Sequence, residues 1–139
     1  MGERRRSREL ALQVLFHLEF NEDDPDEVFE LICENFKSKK SARPFSKKLV
    51  LGVVDRKDEL DRLITQASRN WRLERMSCLD KCILRMAILE MAFMEDIPPK
   101  VSIDEAVELG KVFGSEYSSS FINGILDKVY SLCREEKSE

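Results

Sequence analysis

No uninterrupted apolar run in this 139-residue chain approaches the ~20 residues needed to cross a bilayer. Its first hydrophobic stretch, LALQVLFHLEF, is broken by Gln13, His17 and Glu19, and no small-residue cleavage site follows, so it does not read as a secretory signal. The expectation is a cytoplasmic protein with no membrane role. Histidine occurs once, at His17, and the four cysteines, Cys33, Cys78, Cys82 and Cys133, form no CxxC pair. Cys78 and Cys82 stand at i and i+4, the reach of two metal ligands on one helix face. Zinc usually takes four ligands, however, and His17 belongs to a distant segment, so core thiols in a reducing compartment are expected. Also missing are a GxxxxGK[ST] loop, a GxGxxG turn, a nucleophile elbow and any strand to launch one. Carboxylate pairs such as Asp104 and Glu105 fall at expected helix starts, where they favour the dipole. Met86, Met91 and Met94 fall at core spacing. The sequence therefore predicts no catalytic residue, no metal site and no cofactor.

What is present is an unusual distribution of charge. The formal net charge is −4, from 23 Lys and Arg against 27 Asp and Glu. Residues 1 to 8 hold four of the bases, Arg4, Arg5, Arg6 and Arg8, with a single acid, leaving 19 bases against 26 acids in the rest. An acidic body carries a basic front end. Clustered cations repel one another, and at a helix start they face the positive end of the macrodipole, at a cost of roughly 0.3–1 kcal/mol. An external anion would offset that cost, and RNA phosphate is one such anion.

Along the chain, almost every segment repeats at helical period, with 42% hydrophobic residues, enough for one domain with a real core. Leu10, Ala11, Val14, Leu15 and Leu18 form a first stripe, widened by Leu12 and Phe16, with Ser7 as the expected cap and Arg4 to Arg6 as an arm preceding the helix. A second helix starts at DPDE, with Asp24 as cap and Pro25 at the first helical position, and buries Val28, Leu31, Ile32 and Phe36. Pro44 disfavours helical conformation at Arg43. Stripes three and four follow, on Phe45, Leu49, Val50 and Val53 and on Leu60, Leu63, Ile64 and Ala67, with DRKD between them. SCLD, residues 77 to 80, has capping-box spacing before a stretch apolar nearly all round, which must be surrounded by other helices. SIDE, residues 102 to 105, repeats the box, and Gly114 suits a stop. Ser118 to Ser120 precede a last helix in which Asn123-Gly124 interrupts nothing, so Gly124 is expected where another backbone approaches closely. No strand period is convincing. The fold class is all-α with about seven helices.

Two features suit single-stranded RNA besides the arginines. SRNWRLER, residues 68 to 75, is expected to set Arg69, Arg72 and Arg75 on one helical side near Trp71, and Phe121 follows three hydroxyls. Trp71 is expected in the core, and Phe121 equally suits burial against the central helix.

RRRSRELALQVLF resembles the opening of the NusB family, NWRLERMSCLDKCILRMAILEM resembles its central helix, and DIPPKVSIDEAVELGKVFGSEYSSSFINGILDKV is similar to its most distinctive stretch. The resemblance implies a single domain over residues 1–139, made of two packed helical subdomains, that acts as a bacterial transcription antitermination factor. Such proteins bind the single-stranded boxA element of ribosomal-operon RNA jointly with NusE, and the pair joins NusA and NusG on RNA polymerase. The role is that of a scaffold and not of an enzyme. Residue by residue, Arg4, Arg5, Arg6 and Arg8 match the basic motif that neutralises phosphates, and Phe121 matches the aromatic of FxNGxLD, implying a stacking role. Asn123 would brace local backbone. Ser119, in the serine cluster standing where the family often has a basic residue before that phenylalanine, offers a hydroxyl to phosphate. Phe16, where tyrosine is frequent, and Asp80, before the central helix, are the candidates for touching NusE. Gly110, where alanine is common, exchanges about 1 kcal/mol of helix propensity for closer packing.

Other classes stay open at this stage. One is an accessory RNA-binding module related to ribosomal RNA cytosine methyltransferases, disfavoured by the chain's end at Glu139; the other is a purely protein-binding helical adaptor. Monomer and homodimer are both compatible with the pattern, and a dimer would be able to cover the arginines when RNA is absent.

Overall fold

A computed structural model describes residues 2–35, 40–69 and 72–138. Six α-helices are found among them: α1 (Glu3–Phe20), α2 (Pro25–Asn35), α3 (Arg43–Ala67), α4 (Cys78–Phe93), α5 (Pro99–Phe113) and α6 (Ser118–Ser138). Short 3-10 turns lie at Lys40–Ala42 and Leu73–Arg75, and the described residues contain no strand. The all-α expectation holds. The two stripes expected on either side of DRKD run through α3, which is interrupted at Arg56 by a non-helical φ of −113° and ψ of 18°. Counting the halves separately gives seven segments. Contrary to expectation, α3 begins at Arg43, because a proline at the second helical position removes no intrahelical hydrogen bond and pre-sets the helical φ. The contacts divide the chain into two compact units, residues 1–55 and 56–139.

In the first unit, α1 packs on α2 and on the Lys40–Ala42 turn. Leu10, Ala11, Leu12, Val14 and Leu15 are buried, as are Leu49, Val50 and Val53 of α3. Asp24 caps α2 by accepting the Glu27 backbone N–H at 3.2 Å. The buried face of α2 differs from the expected stripe. Val28 is inside together with Phe29 and Cys33, whereas Leu31 is 54% exposed and Phe36 lies outside the described residues. A phenyl ring removes more apolar area from water than a leucine side chain, so the register that buries Phe29 wins. Burial pushes the Cys33 thiol above its ordinary pKa, against a smaller lowering by Arg43, which keeps it a neutral core group.

In the second unit, α4 is the central element, packed on both α5 and α6, which also pack on each other. Every residue from Cys82 to Met91 is buried, the outcome that its all-round apolar sequence requires. Ser77 caps α4, its hydroxyl accepting the Asp80 N–H at 3.1 Å. SIDE does not open α5, which starts earlier at Pro99. Ser102 is buried instead, donating its hydroxyl to Glu90 Oε1 at 2.8 Å. A carboxylate only 1% exposed needs such donors, and that demand outweighs a solvent-facing cap.

The glycines divide by the space around them. A Cβ on Gly110 would lie 2.8 Å from Ile122 Cδ1 and 3.4 Å from the Ser119 nitrogen, so α5 and α6 meet closely there, as its absent side chain suggested. Gly114 ends α5 with an extended backbone, and a Cβ on it would collide with the Ser118 hydroxyl and lie 2.8 Å from the Gly110 carbonyl oxygen. Replacing Gly114 with alanine should lower unfolding stability by about 1–3 kcal/mol in a urea titration. The close approach expected at Gly124 is absent: the residue is exposed within α6 and a Cβ would have nothing within 4 Å. Alanine at Gly124 should therefore stabilise the protein by about 0.5–1 kcal/mol through backbone entropy alone, read in the same titration.

Candidate nucleic-acid interface

The arginine cluster is helical from its first member. Because α1 begins at Glu3, Arg4, Arg5, Arg6 and Arg8 occupy its first two turns and do not form a preceding arm. Ser7 is not the cap: it is buried, and its hydroxyl contacts the Glu3 carbonyl at 3.0 Å and the Ala42 carbonyl at 2.7 Å. Arginine is a good helix former, and Glu3 in the first turn answers the dipole that the arginines oppose. A serine that can reach a carbonyl across the fold then has more to gain inside than at the end.

Helical spacing sorts the four side chains. Arg4 and Arg8, at i and i+4, share a face and both lie over the ring of Phe45 from α3, with Cζ 4.3 Å and 5.5 Å from its centroid. Arg8 is only 4% exposed, whereas Arg4 and Arg5 are exposed. Arg6 reaches Glu9 Oε1 at 2.9 Å in an i,i+3 ion pair. Phe45 is the residue that helical periodicity assigned only to the core; it is half-buried, and no spacing rule links it to the arginines. Further along α1, Phe16 is 39% exposed and meets Phe20 edge-on, with centroids 5.1 Å apart.

The second unit holds a cavity of about 340 Å³ lined by Arg75, Met76, Ser77, Asp80, Ser115, Tyr117 and Phe121. Phe121 is half-buried and presents part of its ring there. Tyr117, which sequence reasoning passed over, adds a second aromatic and is 71% exposed. Ser118 is buried and shapes the turn before α6, its Oγ accepting the Ser115 N–H at 3.0 Å. Ser119 is half-buried, and the exposed Ser120 donates its hydroxyl to the Tyr117 carbonyl at 3.3 Å. Asp80 lies at the wall with its Oδ1 making no hydrogen bond within the protein. Asn123 is exposed.

The expected row of Arg69, Arg72 and Arg75 on one helical side does not form. α3 stops at Ala67, Arg69 lies in a turn, Arg72 is extended and Arg75 ends a 3-10 turn, while Trp71 is outside the described residues. Of the three, Arg75 alone lines the cavity. Its link to Asp80 and Phe121 runs through tertiary packing, for which linear spacing holds no signal.

The arrangement offers exposed guanidiniums to anions and an accessible aromatic face to a flat partner. The NusB family profile matches residues 5–131. The chain is 50% identical over 139 residues to the transcription antitermination protein NusB of Syntrophus aciditrophicus, covering 100% of this chain and 86% of that one. It is 49% identical to the protein of the same description from Myxococcus xanthus, over 93% of this chain and 95% of the other. Among solved structures, T. maritima NusB matches with a TM-score of 0.84 at 36% identity, covering 92% and 90% of the two chains. A chain from a crystal structure of antitermination factors NusB and NusE in complex with dsRNA matches with a TM-score of 0.86 at 27% identity, covering 95% and 98%.

Proposed function

The chain belongs to the NusB family, and on that premise we propose that it is a transcription antitermination factor that binds boxA RNA of ribosomal operons together with NusE. It is a scaffold and not an enzyme. It works in the cytoplasm, where the RNA–NusB–NusE assembly joins NusA, NusG and RNA polymerase. The observation that carries the reading is the concentration of four arginines in two turns of one helix of a protein whose remaining charge is acidic. Arg4, Arg5 and Arg6 neutralise phosphates directly, and Arg8, buried, adds its charge from beneath. Phe121 supplies a stacking face and Ser119 a hydroxyl. Phe16, with Phe20 beside it, gives NusE an aromatic surface, and Asp80 a carboxylate. The acidic remainder discourages indiscriminate binding to nucleic acid.

The test is a titration of single-stranded boxA RNA and a scrambled strand, each with and without NusE. Preference for boxA is expected, and NusE should tighten RNA binding by the same factor by which RNA tightens NusE binding. Equal affinity for the two strands in the presence of NusE would overturn the reading in favour of a protein-binding adaptor. In the same assay Phe121→Ala should weaken boxA binding by about 1–3 kcal/mol, the worth of one stacked base.

A further inference from the structure

We infer that Tyr117 is a base-stacking residue, and that the cavity beside it takes a single nucleobase bearing an amino group, whose N–H Asp80 accepts. The inference rests on the reading of the chain as a boxA RNA binder and names the residue and the class of base at one of its contacts. All of the residues concerned lie in the second unit, between positions 75 and 121. Tyr117 is 71% exposed, yet its backbone is held in place. Its N–H donates to the Ser115 hydroxyl at 3.3 Å, and its carbonyl accepts the Ser120 hydroxyl at 3.3 Å and the Phe121 N–H at 3.1 Å. A ring so exposed adds little to the core. On a fixed backbone, it has only its own two torsions to lose when a base stacks on it.

The make-up of the cavity selects its occupant. A volume of about 340 Å³ lies at the small end of the ~300–1,000 Å³ typical of ligand clefts, which suits one flat ring system. Met76 and Phe121 give it an apolar wall, against which a base can lie and a phosphate cannot. Asp80 is 9% exposed, and no described residue donates to its Oδ1. A buried acceptor in that state is unfavourable until a donor arrives, and rotation about the soft χ2 torsion turns an oxygen toward the cavity. Adenine, cytosine and guanine each carry an amino group to donate, whereas the lone N–H on the pairing edge of uracil stands between two carbonyls that a carboxylate repels. Arg75, exposed at the same lining, attracts the phosphate of the incoming nucleotide and repels a cationic side chain, the other group that an aromatic ring and a carboxylate would suit. A carboxylate has about four acceptor sites, so Asp80 can serve the base and NusE together.

Tyr117→Ala removes the stacking face and Tyr117→Phe keeps it; with the ring exposed, both variants should melt as wild type. The full chain is titrated with single-stranded boxA RNA and with a set of boxA strands that each lack one base. Tyr117→Ala is expected to weaken binding to the intact strand about five- to tenfold, and Tyr117→Phe by less than about twofold. On the strand missing the captured base, Tyr117→Ala should have no further effect, and that base should be adenine, cytosine or guanine. Asp80→Asn, whose amide both donates and accepts, should let uracil replace that base with little loss of affinity. An unchanged RNA affinity for Tyr117→Ala overturns the inference, as does an equal loss on every abasic strand. So does a uracil as the captured base, or an Asp80→Asn variant that still rejects uracil. A Tyr117→Ala variant that loses NusE binding while its RNA binding stays intact overturns it in favour of a cationic side chain of the partner. If the wild type itself fails to prefer boxA over a scrambled strand with NusE present, the RNA reading falls instead, a result distinguishable from insensitivity at Tyr117 alone.

Discussion

Alanine at Arg4, Arg5 and Arg6 together is expected to flatten the slope of log Kobs against log salt concentration by about two units for single-stranded boxA RNA. Each neutralised phosphate on a single strand contributes about 0.7 to that slope, so three contacts account for about two. The melting temperature should hardly move, because the local terms oppose one another. Removing cations from the first turns relieves an unfavourable dipole interaction of roughly 0.3–1 kcal/mol each. Against this stand the Arg6–Glu9 pair, with the Arg6 side chain 43% exposed and worth about 0.2–1 kcal/mol, and the Arg4–Phe45 contact, worth about 0.5–1 kcal/mol. Arg8→Ala separates from the others: at 4% exposure it loses packed side chain, and a drop of about 1–3 kcal/mol is expected. Salt titrations by fluorescence anisotropy together with thermal melts read both effects. A slope that stays the same in the triple variant would remove the arginines from the interface.

That division among the arginines marks where the sequence stops being legible. Their number and their contrast with the acidic body are linear properties, visible before any fold. Ser7 as cap and Arg4 to Arg6 as an arm were reasonable from local chemistry, because serine favours helix ends. What the linear pattern omits is the Ala42 carbonyl, 35 positions away, which draws the Ser7 hydroxyl inside and lets the helix extend back to Glu3. The same competition decides Ser102, which has the spacing of a cap and is used by Glu90. By contrast, Ser77 caps α4 as its spacing foretold, and it remains exposed. Capping motifs were therefore readable where solvent surrounds the serine, and misleading where a buried polar group elsewhere requires its hydroxyl.

Aromatic residues show a similar division. α4 was legible as a central helix because it is apolar nearly all round and only enclosure by other helices satisfies it. Phe29, Phe45 and Phe121 sit on amphipathic helices, where periodicity fixes a stripe only to within about one position. One is buried and two are half-buried. The partner across the interface, whether Arg4 on Phe45 or the cavity beside Phe121, is tertiary information.

The largest stability effect is expected at Asp61. Its carboxylate receives Arg85 in a two-pronged contact, Nε to Oδ1 at 2.7 Å and Nη2 to Oδ2 at 3.0 Å, joining the later part of α3 to α4. The side chains are 5% exposed for Arg85 and 20% for Asp61, so the guanidinium sits where solvent cannot replace a lost partner. Asp61→Ala should cost about 3–5 kcal/mol, chiefly the penalty of a buried cation deprived of its bidentate carboxylate. For a domain of this size that corresponds to a fall in Tm of roughly 10–15 °C. The pair itself is worth much less than that figure, because forming it required stripping water from both ions. Replacing both members with apolar residues of similar length, Asp61→Leu with Arg85→Met, should therefore recover most of the loss. Thermal melts of the single and double variants decide the matter. A mild effect of Asp61→Ala would mean that the other surroundings of Arg85 compensate its charge, and a double variant as unstable as the single one would mean that the loss arises from packing and not from charge.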